Sequence, residues 1–198
     1  MEKAHAWAQK GLIAFLAVFV ACCCTFLAGC AENAEDKVRQ VVTEEFDEVK
    51  NASAEEIEEL AGDSSEFAAL SAYGITAADA YDAIFSDFDY KIDSIKIDGD
   101  KATVGVVFTT KDLTTFQSAL TTAAQEAATN GSLTGLSSSE LNAAIGNLVL
   151  DTIKGLPNTE TKVIDFEVDK VAGNWEMASD SGEVLQEALF PSSVMNSF

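Results

Sequence analysis

Beyond residue 30 the chain contains neither histidine nor cysteine. Its one histidine is His5, and its four cysteines are Cys22, Cys23, Cys24 and Cys30. Residues 31–198 therefore hold no Ser-His-Asp triad, no Cys-His dyad and no histidine-ligated zinc site. They hold no disulfide either, so stability must come from an apolar core, which a domain of about 150 residues can supply. The patterns G-x-S-x-G, S-x-x-K and G-x-G-x-x-G are missing, as is a phosphate loop. No catalytic residue, cofactor or metal ligand is nominated by these absences, and the expectation is a protein that is not an enzyme.

Basic residues are also scarce. Twelve face 33 acids, for a formal net charge of -21. A chain this acidic repels phosphate backbones, which excludes nucleic acid as a partner. So many acids also rob carboxylate spacing of its power to pick out the pair that glycoside hydrolysis needs. Asp87 and Asp89 bracket Phe88, and Asp98 and Asp100 bracket Gly99. The calcium-loop spacing D-x-D-x-D-G is absent, so these acids read as turn and strand-edge chemistry. Arg39 is the only arginine of the chain. Sharing its helix with Glu44, Glu45 and Glu48, it reads as half of a solvated ion pair rather than a clamp for an anionic ligand.

The N-terminus is richer in signal. Lys3 and Lys10 precede an uncharged run, Gly11 to Ala28, and small residues close it. Basic start, apolar stretch and small end are the parts of an export signal. The last four residues, Leu27-Ala28-Gly29-Cys30, resemble the lipobox of bacterial lipoproteins. That resemblance implies cleavage between Gly29 and Cys30, a diacylglycerol on the Cys30 sulfur, and a lipid-anchored domain on the extracytoplasmic face of the cell membrane. An uncleaved anchor would lead to the same side, because Lys3 and Lys10 would hold the N-terminus inside. The expected division is a signal peptide over 1–29, a short tether over 30–33, one domain over 34–190 and a tail over 191–198.

Nearly half the residues are apolar, which excludes disorder for the chain as a whole. Asn33 with Asp36 reads as a helix cap, and Val38, Val41, Val42, Phe46 and Val49 follow at helical spacing. Ser53 with Glu56 and Thr76 with Asp79 announce two further helices, the second carrying Ala80, Tyr81, Ile84 and Phe85; Phe67, Leu70 and Ser71 lie between them. The period then changes to two. Tyr90-Lys91-Ile92 and Ile95-Lys96-Ile97, the turn Asp98-Gly99-Asp100, and Ala102, Val104, Val106 and Phe108 make a hairpin, with a phase slip at Asp93-Ser94 that suggests a bulge. A helical pair occupies 112–154; its second member starts at Ser137 with Glu140 and stops at Gly155 and Pro157. A second hairpin turns at Ala172-Gly173-Asn174, and a short helix, Glu183 to Leu189, ends at Pro191. This order predicts an α+β fold, with helices packed on one face of a curved antiparallel sheet of about four strands.

The pieces Tyr90-Lys91-Ile92, Asp98-Gly99-Asp100-Lys101-Ala102-Thr103-Val104 and Gly173-Asn174-Trp175-Glu176-Met177 resemble small lipoproteins with nuclear-transport-factor-two-like or cystatin-like folds. The likeness implies a cavity between helices and sheet and no particular activity. Phe46, Phe85, Phe108, Phe116, Phe166 and Trp175 all fall on apolar faces and read as core. Trp175 is expected between sheet and helix, with Met177 on the same side. The functional expectation is a membrane-anchored binding module for a small apolar ligand or an envelope protein. A carboxylate-dependent hydrolase and a structural or inhibitory lipoprotein are the alternatives.

Overall fold

The computed structural model describes residues 33–62 and 69–190. The architecture is α+β, built on an open antiparallel sheet of five strands. The described residues form two compact units, one from 33–52, 89–109 and 160–190, the other from 53–62, 69–88 and 110–159. The first holds most of the sheet and is called the sheet unit below; the second is the helical unit.

The sheet unit begins with α1 (Ala34–Asn51), whose first turn is capped by Asn33: its side-chain oxygen accepts the Glu35 N–H at 2.7 Å. Val38, Val42, Phe46 and Val49 recur every three to four residues, so they share one stripe, and all four are buried. Strands β1 (Asp89–Asp98) and β2 (Lys101–Lys111) pair antiparallel, with Tyr90 opposite Phe108 and Ile92 opposite Val106. The register slips between Ile92 and Ser94, and Ile95 then faces Val104. One extra residue, Asp93, thus keeps Ile92 and Ile95 on the same face although they lie three apart, as the broken alternation predicts.

The sheet order is β1-β2-β4-β5, where β4 is Ile164–Val171 and β5 is Asn174–Met177. A fifth strand, β3 (Asn158–Glu160), pairs with β2. Its three residues are polar and exposed, so no alternation marks them, and the four-strand expectation missed it. β4 pairs with β2 only from Lys101 to Val106. Just past β3, Thr161 donates its N–H to the Phe108 carbonyl at 2.9 Å, and its hydroxyl oxygen accepts the Phe108 N–H at 3.1 Å. In the second hairpin Ala172 and Gly173 both have positive φ, 52° and 96°, the backbone of a tight primed turn.

Helix α1 touches both edge strands, β1 and β5, so it crosses the whole sheet face. Midway, the Phe46 ring makes edge contacts with Tyr90, Phe108 and Phe166 at centroid distances of 5.4, 5.0 and 5.1 Å. Val104, Val106 and Val168 are fully buried there, and Trp175 is buried with Met177 half-buried beside it on the strand. The last helix, α6 (Ser181–Leu189), packs on β4 through a stripe that buries Leu185 and Leu189.

In the helical unit, α2 (Ala54–Ala61), α3 (Ala77–Phe85) and α5 (Ser138–Lys154) all open with a reciprocal capping box. Ser53 and Glu56, Thr76 and Asp79, and Ser137 and Glu140 each exchange side-chain and backbone hydrogen bonds. Between them, α4 (Phe116–Asn130) follows a short 3₁₀ turn. Helix α5 contacts both α3 and α4 and therefore sits between them. Its middle is pinned by Gly146, where a Cβ would lie 2.2 Å from the Tyr73 carbonyl oxygen, and by Asn142, which donates to the Ala72 carbonyl at 3.2 Å. Among the described residues no helix is long and apolar enough to cross a membrane.

The close approach at Gly146 makes the site intolerant of any side chain. Gly146→Ala is expected to cost about 1–3 kcal/mol, the usual range for overpacking against fixed atoms. Urea denaturation checks this: the midpoint should fall while its slope stays unchanged.

Candidate functional site

Cys30 and Gly29 lie outside the described residues, as do Phe67 and Pro191. The acids that bracket Phe88 and Gly99 are placed, and each pair is split up. Asp87 pairs with Lys111, Asp89 with Lys50 at 2.8 Å, and Asp100 with Lys170 at 3.7 Å. Among the described residues no cluster of His, Cys, Asp and Glu could hold a metal ion. Arg39 pairs with Glu35, one helical turn back, at 3.3 Å with both side chains about half exposed. Such a pair contributes only tenths of a kcal/mol and offers no clamp.

The aromatic residues divide only in part by unit, since Phe88 of the helical unit is buried and Tyr90 of the sheet unit is half-buried. Phe46, Phe108, Phe166 and Trp175 of the sheet unit are buried, so the interface between α1 and the sheet is filled with rings. In the helical unit Tyr81, Phe85 and Phe116 are only half-buried. Helix α5 carries the same signature along its length. Leu141, Ile145, Leu148, Val149 and Ile153 are half-buried, and the only fully buried residues of the helix are Gly146 and Thr152. The flanking helices α3 and α4 add Ile84 and Leu120, again half-covered. A helix set between two others would ordinarily bury its apolar stripe. Here each of these side chains is only partly covered, which leaves an incompletely closed apolar stripe along α5.

Two charged residues stand out that the sequence reading passed over. The first is Lys111 at the end of β2, with almost no side-chain exposure. Its ammonium donates to Asp87 and to the Lys154 carbonyl at 3.0 Å, in the last turn of α5. It thus meets a carboxylate and the negative end of a helix together. The hydrogen bond from Lys111 holds the Asp87 carboxyl below its ordinary range, aided by the nearby charge. Strand alternation gives no hint of this burial, because Lys111 shares the phase of half-buried Val107 and Thr109 and not that of Val106 and Phe108.

The second is Glu45. Burial, reinforced by the charge of Glu48, raises its carboxyl to about 7. On the opposite flank of α1, Tyr90 donates its hydroxyl to Asp47 at 2.8 Å, and Lys50 pairs with Asp89 of β1. Glu45 lies on the other side of the buried stripe and so faces away from β1. A half-buried carboxyl that holds its proton near neutral pH is what a general acid requires. In the sequence it is hidden among neighbouring glutamates, and only its helical phase, one residue before Phe46, sets it apart.

Compared with known proteins, the chain matches no family model, no curated protein and no solved structure.

Two outcomes follow. Lys111→Ala strips the carbonyls at the end of α5 of a buried partner, although half-exposed Asp87 regains water. A loss of about 2–3 kcal/mol is expected, below the 3–5 of a fully buried pair, measurable by denaturant unfolding. For Glu45 the folded state holds its proton up to about 7, whereas the unfolded carboxyl ionises near 4.5. Stability from this group therefore falls as pH rises from about 4.5 through about 7. Glu45→Gln should be more stable than wild type at pH 8 by on the order of 1–2 kcal/mol, after screening at a partly exposed site. Near pH 4 the two should converge; thermal melts at both pH values read the difference.

Proposed function

We propose that the chain is a bacterial lipoprotein, cut before Cys30 and held at the extracytoplasmic face of the membrane by a diacylglycerol on that cysteine. Its α+β part is a non-enzymatic binding module for a small apolar or amphiphilic molecule of the envelope. The observation that carries the binding reading is the helical unit, where α3, α4 and α5 leave Phe85, Phe116, Ile145 and Leu148 half-covered. The sheet unit, by contrast, closes its core. A net charge of -21 disfavours an acidic ligand, so a neutral amphiphile such as a monoacylglycerol is preferred over a fatty acid anion.

A second reading is favoured by Glu45 and Glu48. One carboxyl that keeps its proton beside another is the arrangement of a carboxylate-dependent hydrolase of the envelope. The two readings part cleanly. Under the binding reading, monoacylglycerol at a hundred times its dissociation constant stabilises the protein by about 2.7 kcal/mol, or roughly 5 °C in melting temperature. Leu148→Gln should weaken that response. Turnover of a glycan or ester, lost in Glu45→Gln, would instead establish the hydrolase. Anchoring is read by mass spectrometry of membrane-extracted protein, which should find diacylglyceryl-Cys30 as the first residue.

A further inference from the structure

Helix α1 runs opposite to β1. Its C-terminal end lies at the start of that strand, where Lys50 pairs with Asp89 and the Tyr90 hydroxyl reaches Thr43 and Asp47. From Phe46, seated over Phe108 and Phe166, twelve more residues lead back to Ala34, roughly 18 Å at a helical rise of 1.5 Å per residue. That span ends near the far end of the sheet, level with the turn after Asp98 and the turn after Val171. Lys101 pairs in register with Asp169, so both hairpin turns lie at this one end. The N-terminus of α1 and the two turns thus share one end of the sheet unit.

The charge of this end is unlike that of the rest. By register Glu167 lies level with Lys96 and Glu176 with Asp169, so with residues 33–39, 96–101 and 169–174 this end holds seven acids (Glu35, Asp36, Asp98, Asp100, Glu167, Asp169 and Glu176) and five bases (Lys37, Arg39, Lys96, Lys101 and Lys170). Three ion pairs join them: Arg39 with Glu35, Lys101 with Asp169 at 2.9 Å, and Lys170 with Asp100. Ten basic residues follow Cys30 in the whole chain, and half of them are here. With Glu32 of the tether counted, this end carries three excess acids, and most of the excess lies elsewhere. Two of the exposed apolar side chains, Ile97 and Val171, are here as well.

Cys30 is three residues from Asn33, a reach of roughly 10 Å at full extension. A charge held that close to an anionic surface is within about a Debye length of it at physiological salt. We infer that this base-rich end of the sheet unit, with Val171 and Ile97 at its tip, rests on the phospholipid headgroups and turns the more acidic remainder of that unit outward. This inference depends on the anchoring at Cys30 proposed above. The covalent tether limits how far the α1 N-terminus stands from the bilayer, and its share of the bases makes the same end the one least repelled by it.

The test uses the mature lipoprotein in vesicles containing phosphatidylglycerol, with nitroxide-labelled lipid headgroups as quencher. Val171→Cys and Val163→Cys offer a matched pair: both valines are about half exposed, and they lie eight residues apart, roughly 26 Å of extended strand. A fluorophore on residue 171 should be quenched several-fold more than one on residue 163. Reversing charge in Lys101→Glu with Lys170→Glu should narrow that ratio in anionic vesicles and leave it unchanged in neutral ones. Equal or inverted quenching in protein whose Cys30 is shown by mass spectrometry to be lipidated overturns the orientation alone. Membrane-bound protein lacking the lipid on Cys30 overturns the anchoring reading, and the orientation with it.

Discussion

The sheet unit depends on one ring. Phe46 reaches down from α1 and meets aromatic side chains from β1, β2 and β4, so one residue locks a helix onto three strands at once. Edge-to-face contacts of this kind add about 0.5–1.5 kcal/mol each beyond the area they bury. The geometry also fixes the direction of α1: with Phe46 over Phe108, the valines before it extend along the face toward the two hairpin turns. The bulge at Asp93 serves the same contact. It returns Ile95 and Ile97 to the phase of Tyr90 and Ile92, so that β1 offers one continuous apolar face to the helix.

The helical unit is organised by polar contacts at its ends more than by a filled centre. Three capping boxes set where α2, α3 and α5 begin, and their carboxyls are held below the ordinary range by the hydrogen bonds they accept. Lys111 then closes the other end of α5 at Lys154. These bonds define backbone geometry while making little demand on side-chain packing, so the apolar stripe of α5 can remain half-covered without loss of helix position.

Charge gives the two units a common constraint. Ten bases follow Cys30, and half of them gather beside the α1 N-terminus, where short-range ion pairs join Arg39 with Glu35, Lys101 with Asp169 and Lys170 with Asp100. Glu45 works in the opposite sense: partial burial and neighbouring Glu48 raise its carboxyl to about 7, which weakens its charge near neutral pH and with it the repulsion within α1.

Much of the fold was legible in the sequence because it rests on local rules. Caps at Asn33, Ser53, Thr76 and Ser137 follow from side-chain oxygens placed two or three residues before free N–H groups. The hairpin turns follow from Gly99 and Gly173, and the α+β class follows from the switch between helical and two-residue periods. The resemblance of Leu27-Ala28-Gly29-Cys30 to a lipobox, too, is a matter of contiguous residues. What only tertiary structure decided is everything that requires two distant segments to meet. The strand β3 exists because β4 leaves an edge of β2 unpaired, not because Asn158-Thr159-Glu160 favours a strand. Lys111 is buried because Asp87 and the Lys154 carbonyl arrive beside it, and Glu45 holds its proton because of the flank of α1 on which it falls. Phe85 and Phe116 follow the same apolar pattern as Phe108 and Phe166, yet only the latter pair is buried. Periodicity tells which side of an element is apolar; how completely that side is covered is set by its neighbours.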